Sequence, residues 1–201
     1  MNVPDVIPPV RILSFDPGTT NMGWALSEYD LVSGSFIVYH HGLFKASKVA
    51  KKRKDEIECF GQRLISLTVV AEESAKLLLH HQPNYVVTED TFFNPRTPNA
   101  HIALLLCINS VERTMYHAYH DGKLKHDTAK KLHKISPATI KMIASGSGSN
   151  IKQSVIDAVL ADGVIKFNNP KEDLLTLLTE HEADAIAGGY TFAKTNTFIV
   201  E

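Results

Sequence analysis

The order of apolar and polar stretches predicts an α/β domain built on a mixed five-stranded sheet flanked by helices. Three observations carry that expectation. Three strand-like runs come first and close together, as a meander does. Two long amphipathic stretches of helical period then alternate with two more short apolar runs. Finally, no repeat or low-complexity linker divides the 201 residues, a length suited to one domain with a sizeable core.

The elements follow in order. Residues 1–9 read as a Pro-rich extension, and 10–201 as the single domain. "VRILSFD" (10–16) is an apolar run suited to a buried strand, and "NMGWALSEYD" and "SGSFIVYHHGLFK" read as the next two, turned at "LVSG" (31–34). A long amphipathic helix is expected over about 50–81, with Ile57, Phe60, Leu64, Leu67, Ala71 and Leu78 at helical spacing. Gln82-Pro83-Asn84 stops it, and "YVVTED" (85–90) is a fourth strand. A loop rich in Asn, Pro and Thr leads to an apolar helix over about 100–120. "LHKIS" (132–136) gives the fifth strand, and Ser136-Pro137 suits a helix start, with Ser as cap and Pro in the first turn. Helical stretches at about 137–145, 150–162 and 172–193 complete the chain, separated by "SGSGS" and "FNNP".

Composition excludes several classes. With 21 Lys and Arg against 22 Asp and Glu, the net charge is near zero, so any polyanion contact must come from local clusters. "KASKVAKKRK" (45–54) and the lysines of 123–141 are such clusters, although solvated helix faces and loops explain most runs of this kind. Cys59 and Cys107 make neither a disulfide framework nor a zinc signature, which suits a reducing, cytosolic setting. The N-terminus lacks the basic and apolar regions of a signal peptide, and no apolar run reaches the ~18 residues of a membrane span. A soluble cytoplasmic protein with no membrane partner is expected.

The acids stand where charge is costly. Asp16 ends the first strand, Glu89 ends the fourth, and His181 and Asp184 are three apart on one face of the last helix. Were strands one and four neighbours, donors from three elements would converge, and like charges so close would repel unless a hard cation such as Mg²⁺ joined them. Each has a plainer reading: Asp16 before Pro-Gly as a turn former, Glu89 as a surface charge, His181 as a packed imidazole. Glu182 and Asp90 are neighbours that point elsewhere.

Four ordered segments resemble the RuvC family of Holliday junction resolvases, which have an RNase H-like fold. "FDPGTTNMGWA" resembles the first-strand motif, with Asp16 as ligand and Gly18, Thr19 and Gly23 in place; "VTEDTFF" carries Glu89 and the aromatic Phe92. "ISPATIKMIASGSGSNIKQSV" resembles a third motif, with Lys141 and Lys152 around a Gly-x-Gly turn, and "HEADAIAGG" the last, with Asp184 as final ligand. The resemblance spans about 11–190. His181 stands where many members have aspartate and others histidine, and the loop "TFFNPRTPN" departs in detail, which bears on cleavage preference. The neutral charge and N-terminal extension resemble a divergent, phage-encoded branch, which would act in its host's cytoplasm.

The resemblance implies hydrolysis of DNA phosphodiesters at four-way junctions with two Mg²⁺ per site, Mn²⁺ substituting. Asp16, Asp184 and His181 would hold one ion, and Asp16 and Glu89 the other. Lys152 would add charge near the scissile phosphate and Lys141 beside it, and Phe92, or its neighbour Phe93, would stack on bases at the branch point. Arg96 and the basic runs would hold the arms. Two symmetric incisions imply a homodimer, for which helix 100–120 offers Ile102, Leu104, Leu105, Leu106 and Ile108. Three other readings compete: a nuclease for flaps, forks, three-way junctions or structured RNA; a junction-binding module without catalysis; and a sugar-kinase or actin-like ATP-binding phosphotransferase, whose D-x-G-T-T loop looks similar.

Overall fold

A computed structural model describes residues 7–145, 165–168 and 178–198. The meander forms as its patterning requires. Strands β1 (Val10–Asp16), β2 (Met22–Tyr29) and β3 (Phe36–Phe44) pair antiparallel in sequence order. The β2–β3 turn is held by Asp30, whose carboxylate accepts from the Val32 and Ser33 amides, and Gly34 supplies the left-handed residue at φ 69°.

The expected helix over 50–81 is instead three: α1 (Ala46–Ala50), α2 (Lys54–Phe60) and α3 (Gln62–His81). Gly61 breaks it at φ 82°, a backbone state open to glycine alone at little cost. The break also shifts the apolar register. Ile65, Val69, Val70 and Leu78 face the core, while Phe60 and Leu64 are left exposed. Gln82 in the left-handed region ends α3 ahead of Pro83.

Strand β4 (Tyr85–Glu89) then runs parallel to β1, and α4 (Pro98–His120) begins two residues before its expected start. After a 3₁₀ turn at Asp127–Lys130, β5 (Leu132–Ile135) pairs parallel with β4. Helix α5 (Pro137–Ser145) starts as expected, the Ser136 hydroxyl accepting from the Thr139 amide at 3.2 Å. A sixth strand, β6 (Ile165–Phe167), pairs parallel with β3, giving the order β5-β4-β1-β2-β3-β6 and correcting the expected count of five. Three residues carry too little periodicity to reveal an edge strand in the sequence. The last helix, α6 (Glu180–Thr195), starts where Thr179 caps it with Glu182 in a reciprocal box, and the earlier part of the expected stretch, 172–177, lies outside the described residues. Lys152, the "SGSGS" turn after Ser145 and the helix expected over 150–162 lie outside the described residues.

The sheet buries both faces. Val10, Ile12, Tyr85, Val87 and Ile135 meet α5 and α6, and Leu13, Phe15, Val86 and Leu132 meet α3 and α4. Among the described residues no helix is long and apolar enough to cross a membrane.

Candidate active site

Alternation along two strands aims both strand-end acids at the same helix. Val10 and Ile12 on β1, and Tyr85 and Val87 on β4, point to the α6 side. Side chains two residues apart share a face, so Asp16 and Glu89 continue those rows. The pairing of Phe15 with Thr88 sets the two acids level at the carboxyl ends of neighbouring parallel strands. Open α/β sheets commonly place their chemistry there.

The first turn of α6 reaches this point because the sheet beneath it is bare. A Cβ on Gly23 would overlap the His181 carbonyl, and one on Gly189 would stand 2.9 Å from the Ser14 hydroxyl. His181 Nδ1 then meets the Asp16 carboxylate at 2.6 Å. Asp184, one turn on, lines a cleft of about 160 Å³ with Glu89, Phe92, Pro137, Ile140, Lys141 and Glu180.

Electrostatics ties the three acids together. Burial, then the charges of Asp16 and Asp184, push the Glu89 carboxyl up to about 8, with Lys141 opposing. Burial also raises Asp16, outweighing its hydrogen bond to His181, and that same hydrogen bond raises the imidazole. A largely buried Glu89 raised by the charges of Asp16 and Asp184, beside an Asp16 raised by burial and by Glu180, is a setting suited to a hard cation. Among the described residues, no three His, Cys, Asp or Glu donors are already gathered as a metal cluster.

Thus Glu89, Asp184 and Lys141 line one cleft with Phe92, while Asp16, joined to His181, acts on Glu89 through its charge. Phe92 and Phe93 are 67% and 65% exposed, so neither is a core plug. Arg96 is exposed on the same loop, its amide donating to Asn94. Glu182 and Asp90 are engaged elsewhere, Glu182 with His41 and Thr179, Asp90 with the Thr91 amide. Sequence reading missed Glu180, although its spacing of four from Asp184 puts both on one helix face. A larger groove, about 840 Å³, lies instead at the β5 edge, where Arg113 and Lys134 line it and Asp16, Glu89 and Asp184 do not.

No protein-family model matches the chain. Two curated relatives do, both named crossover junction endodeoxyribonuclease RuvC. The one from Rickettsia typhi is 26% identical over 190 residues, covering 93% of this chain and 99% of that protein. The one from Rickettsia akari is 27% identical over 183 residues, covering 90% and 94%. Among solved structures, Thermus thermophilus RuvC in complex with a Holliday junction superposes with a TM-score of 0.65 at 18% identity, over 92% of this chain and 93% of that one.

The chain is similar to RuvC over nearly its whole length. With the Rickettsia typhi protein the similarity extends over 190 residues. The α/β architecture expected from the sequence is therefore the RNase H-like one, with six strands rather than five.

Proposed function

We propose that this chain is a structure-selective endonuclease that resolves four-way DNA junctions by metal-dependent phosphodiester hydrolysis. The observation that carries the reading is the coupling of a largely buried Glu89 to Asp16 and Asp184, acids from three separate elements. Asp16, Asp184 and His181 would hold one divalent cation, and Asp16 and Glu89 a second, Mg²⁺ or Mn²⁺. Bound there, cations supply an activated water and neutralise charge on the leaving oxygen. The protein's own part is placement. His181 orients the Asp16 carboxylate, and Lys141 brings positive charge to the Glu89 side. The amide end of α5 beside the cleft favours a phosphate. Lys152 would add charge at the scissile phosphate, Phe92 or Phe93 would stack on bases opened at the branch, and Arg96 with the basic runs would hold the arms through phosphates. Cleavage then weakens steeply with salt.

Two incision points on one junction call for two sites, which a homodimer provides. Helix α4 carries Ile102 and Leu105 at 46% and 39% exposure. Ile108 belongs to the core, at 1%, and leaves the expected dimer surface. Coverage of 99% of the Rickettsia typhi protein's length leaves the ATP-binding phosphotransferase without support.

The test incubates the protein and Mg²⁺ with matched four-way, three-way, flap and duplex DNAs, beside Asp16→Asn. Paired nicks in the four-way junction are expected, reduced about a thousandfold or more in the variant. Equal cutting of plain duplex would refute junction selectivity, and cutting of flaps and three-way forms alike would favour a broader branched-DNA nuclease.

A further inference from the structure

Glu182 uses its two carboxylate oxygens for two separate tasks. Oε2 closes the cap of α6, accepting from the Thr179 amide at 3.0 Å and the Thr179 hydroxyl at 2.6 Å. Oε1 is left for a long-range partner, His41 Nδ1 on β3, at 2.9 Å. A capping box requires only the first of these. The second ties the helix to a strand 141 residues away in sequence, through a side chain only 11% exposed.

The place of this tie gives it a consequence. Successive helix residues turn by about 100°, so Glu182 lies roughly opposite Asp184 around the axis and beside His181. Gly23 lets the first turn settle against β2, but a bare glycine fixes how close the helix comes rather than how it is rotated. His41, paired with Ala25 in the sheet and edge-on to the Phe167 ring of β6, is itself held from two sides. A contact on the back of the helix from a held residue sets the rotation that aims His181 and Asp184 at the cleft.

We propose that His41, acting through Glu182, is a positioning residue for the metal-holding face of α6. The inference rests on the nuclease reading above. Removing the imidazole leaves the cap intact but lets the first turn rotate, and it strands Oε1 without a donor in a nearly buried place. Outer groups that orient metal-holding side chains typically change metal affinity by about 10- to 100-fold when lost.

The test measures Mn²⁺ binding to the full chain by electron paramagnetic resonance, thermal unfolding, and the Mg²⁺ concentration for half-maximal junction cleavage. The variants are His41→Ala, His41→Asn, Glu182→Gln and Asp16→Asn. The amide nitrogen of Asn falls where Nδ1 stood, so His41→Asn should restore wild-type Mn²⁺ affinity. His41→Ala should weaken it about 10- to 100-fold and raise the Mg²⁺ requirement in parallel. Glu182→Gln, which keeps the size of the side chain, should weaken it in the same direction and serves if His41→Ala fails to fold. Wild-type affinity in His41→Ala, or a loss that Asn does not rescue, overturns the inference alone. Wild-type protein that shows no Mn²⁺ binding sensitive to Asp16→Asn overturns it together with the nuclease reading.

Discussion

At the scale of single residues, the site's chemistry is set by what burial does to carboxylates. Glu89 ordinarily titrates near 4.5 and here is pushed up to about 8, chiefly by burial and then by Asp16 and Asp184. Between those values the folded chain holds a proton that the unfolded chain has released, so stability falls as pH rises through the window. His181, raised by Asp16, acts in the same direction, its contribution full at low pH and lost as pH climbs through its raised value. His81, lowered from 6.5 to about 4 by burial, acts oppositely below about 6.5, so in chelator the thermal midpoint should fall between about pH 6.5 and about 8. Glu89→Gln should flatten that fall, and Mg²⁺ should recover the midpoint at the alkaline end. Superimposable wild-type and variant curves would remove Glu89 from the site. Phe92 poses a separate question. At 67% exposure its removal costs the core little, whereas lost base stacking is worth ~1–3 kcal/mol. Phe92→Ala should weaken junction binding by about 5- to 150-fold with an unchanged melting midpoint, as read by gel shift and calorimetry.

At the scale of elements, function depends on how α6 meets the sheet. The helix carries Ala183, Ala185, Ala187, Gly188 and Gly189 inward, which lets it lie close across β1 to β4. Gly23 is the tightest point, directly beneath the His181 carbonyl. Gly23→Ala should push the first turn away, at about 1–3 kcal/mol of stability for an overpacked contact. It should also cut cleavage out of proportion to that loss, since His181 and Asp184 ride on the displaced turn. Calorimetry and single-turnover cleavage separate the two effects, and a variant that keeps full activity would show that this seat does not aim the site. Helices α1 to α3 make the contrasting case. Gly61 divides what its apolar spacing suggests is one helix, and the division turns Phe60 and Leu64 outward.

At the scale of the whole molecule, selectivity for a branched substrate is a matter of how many sites act together. Ile102 and Leu105 are exposed on α4 while its opposite face, Cys107, Ile108, Val111 and Met115, is buried in the domain core. Charging the outer face with Ile102→Asp and Leu105→Asp should leave the fold intact and convert a dimer into the 22.2 kDa chain in sedimentation. The monomer should still nick, but the two nicks should lose their coupling in time. A wild-type protein that sediments at the single-chain mass at micromolar concentration would discard the dimer.

Local chemistry in the sequence determined much of this protein. Alternating apolar residues specified the meander, Ser136-Pro137 specified the start of α5, and a charge at the end of each of two apolar runs singled out Asp16 and Glu89. The i, i+3 spacing of His181 and Asp184 likewise follows from helical period alone. Tertiary structure decided what local pattern cannot express. It set β4 beside β1, so that two acids 73 residues apart stand level, and it found a partner for the three-residue β6 on the edge of β3. It also joined Glu182 to His41, a pairing invisible in the chain because neither residue's neighbours signal the other. Periodicity reports which way a side chain points within its own element. Only packing reports what it meets there, and a metal site is made of such meetings.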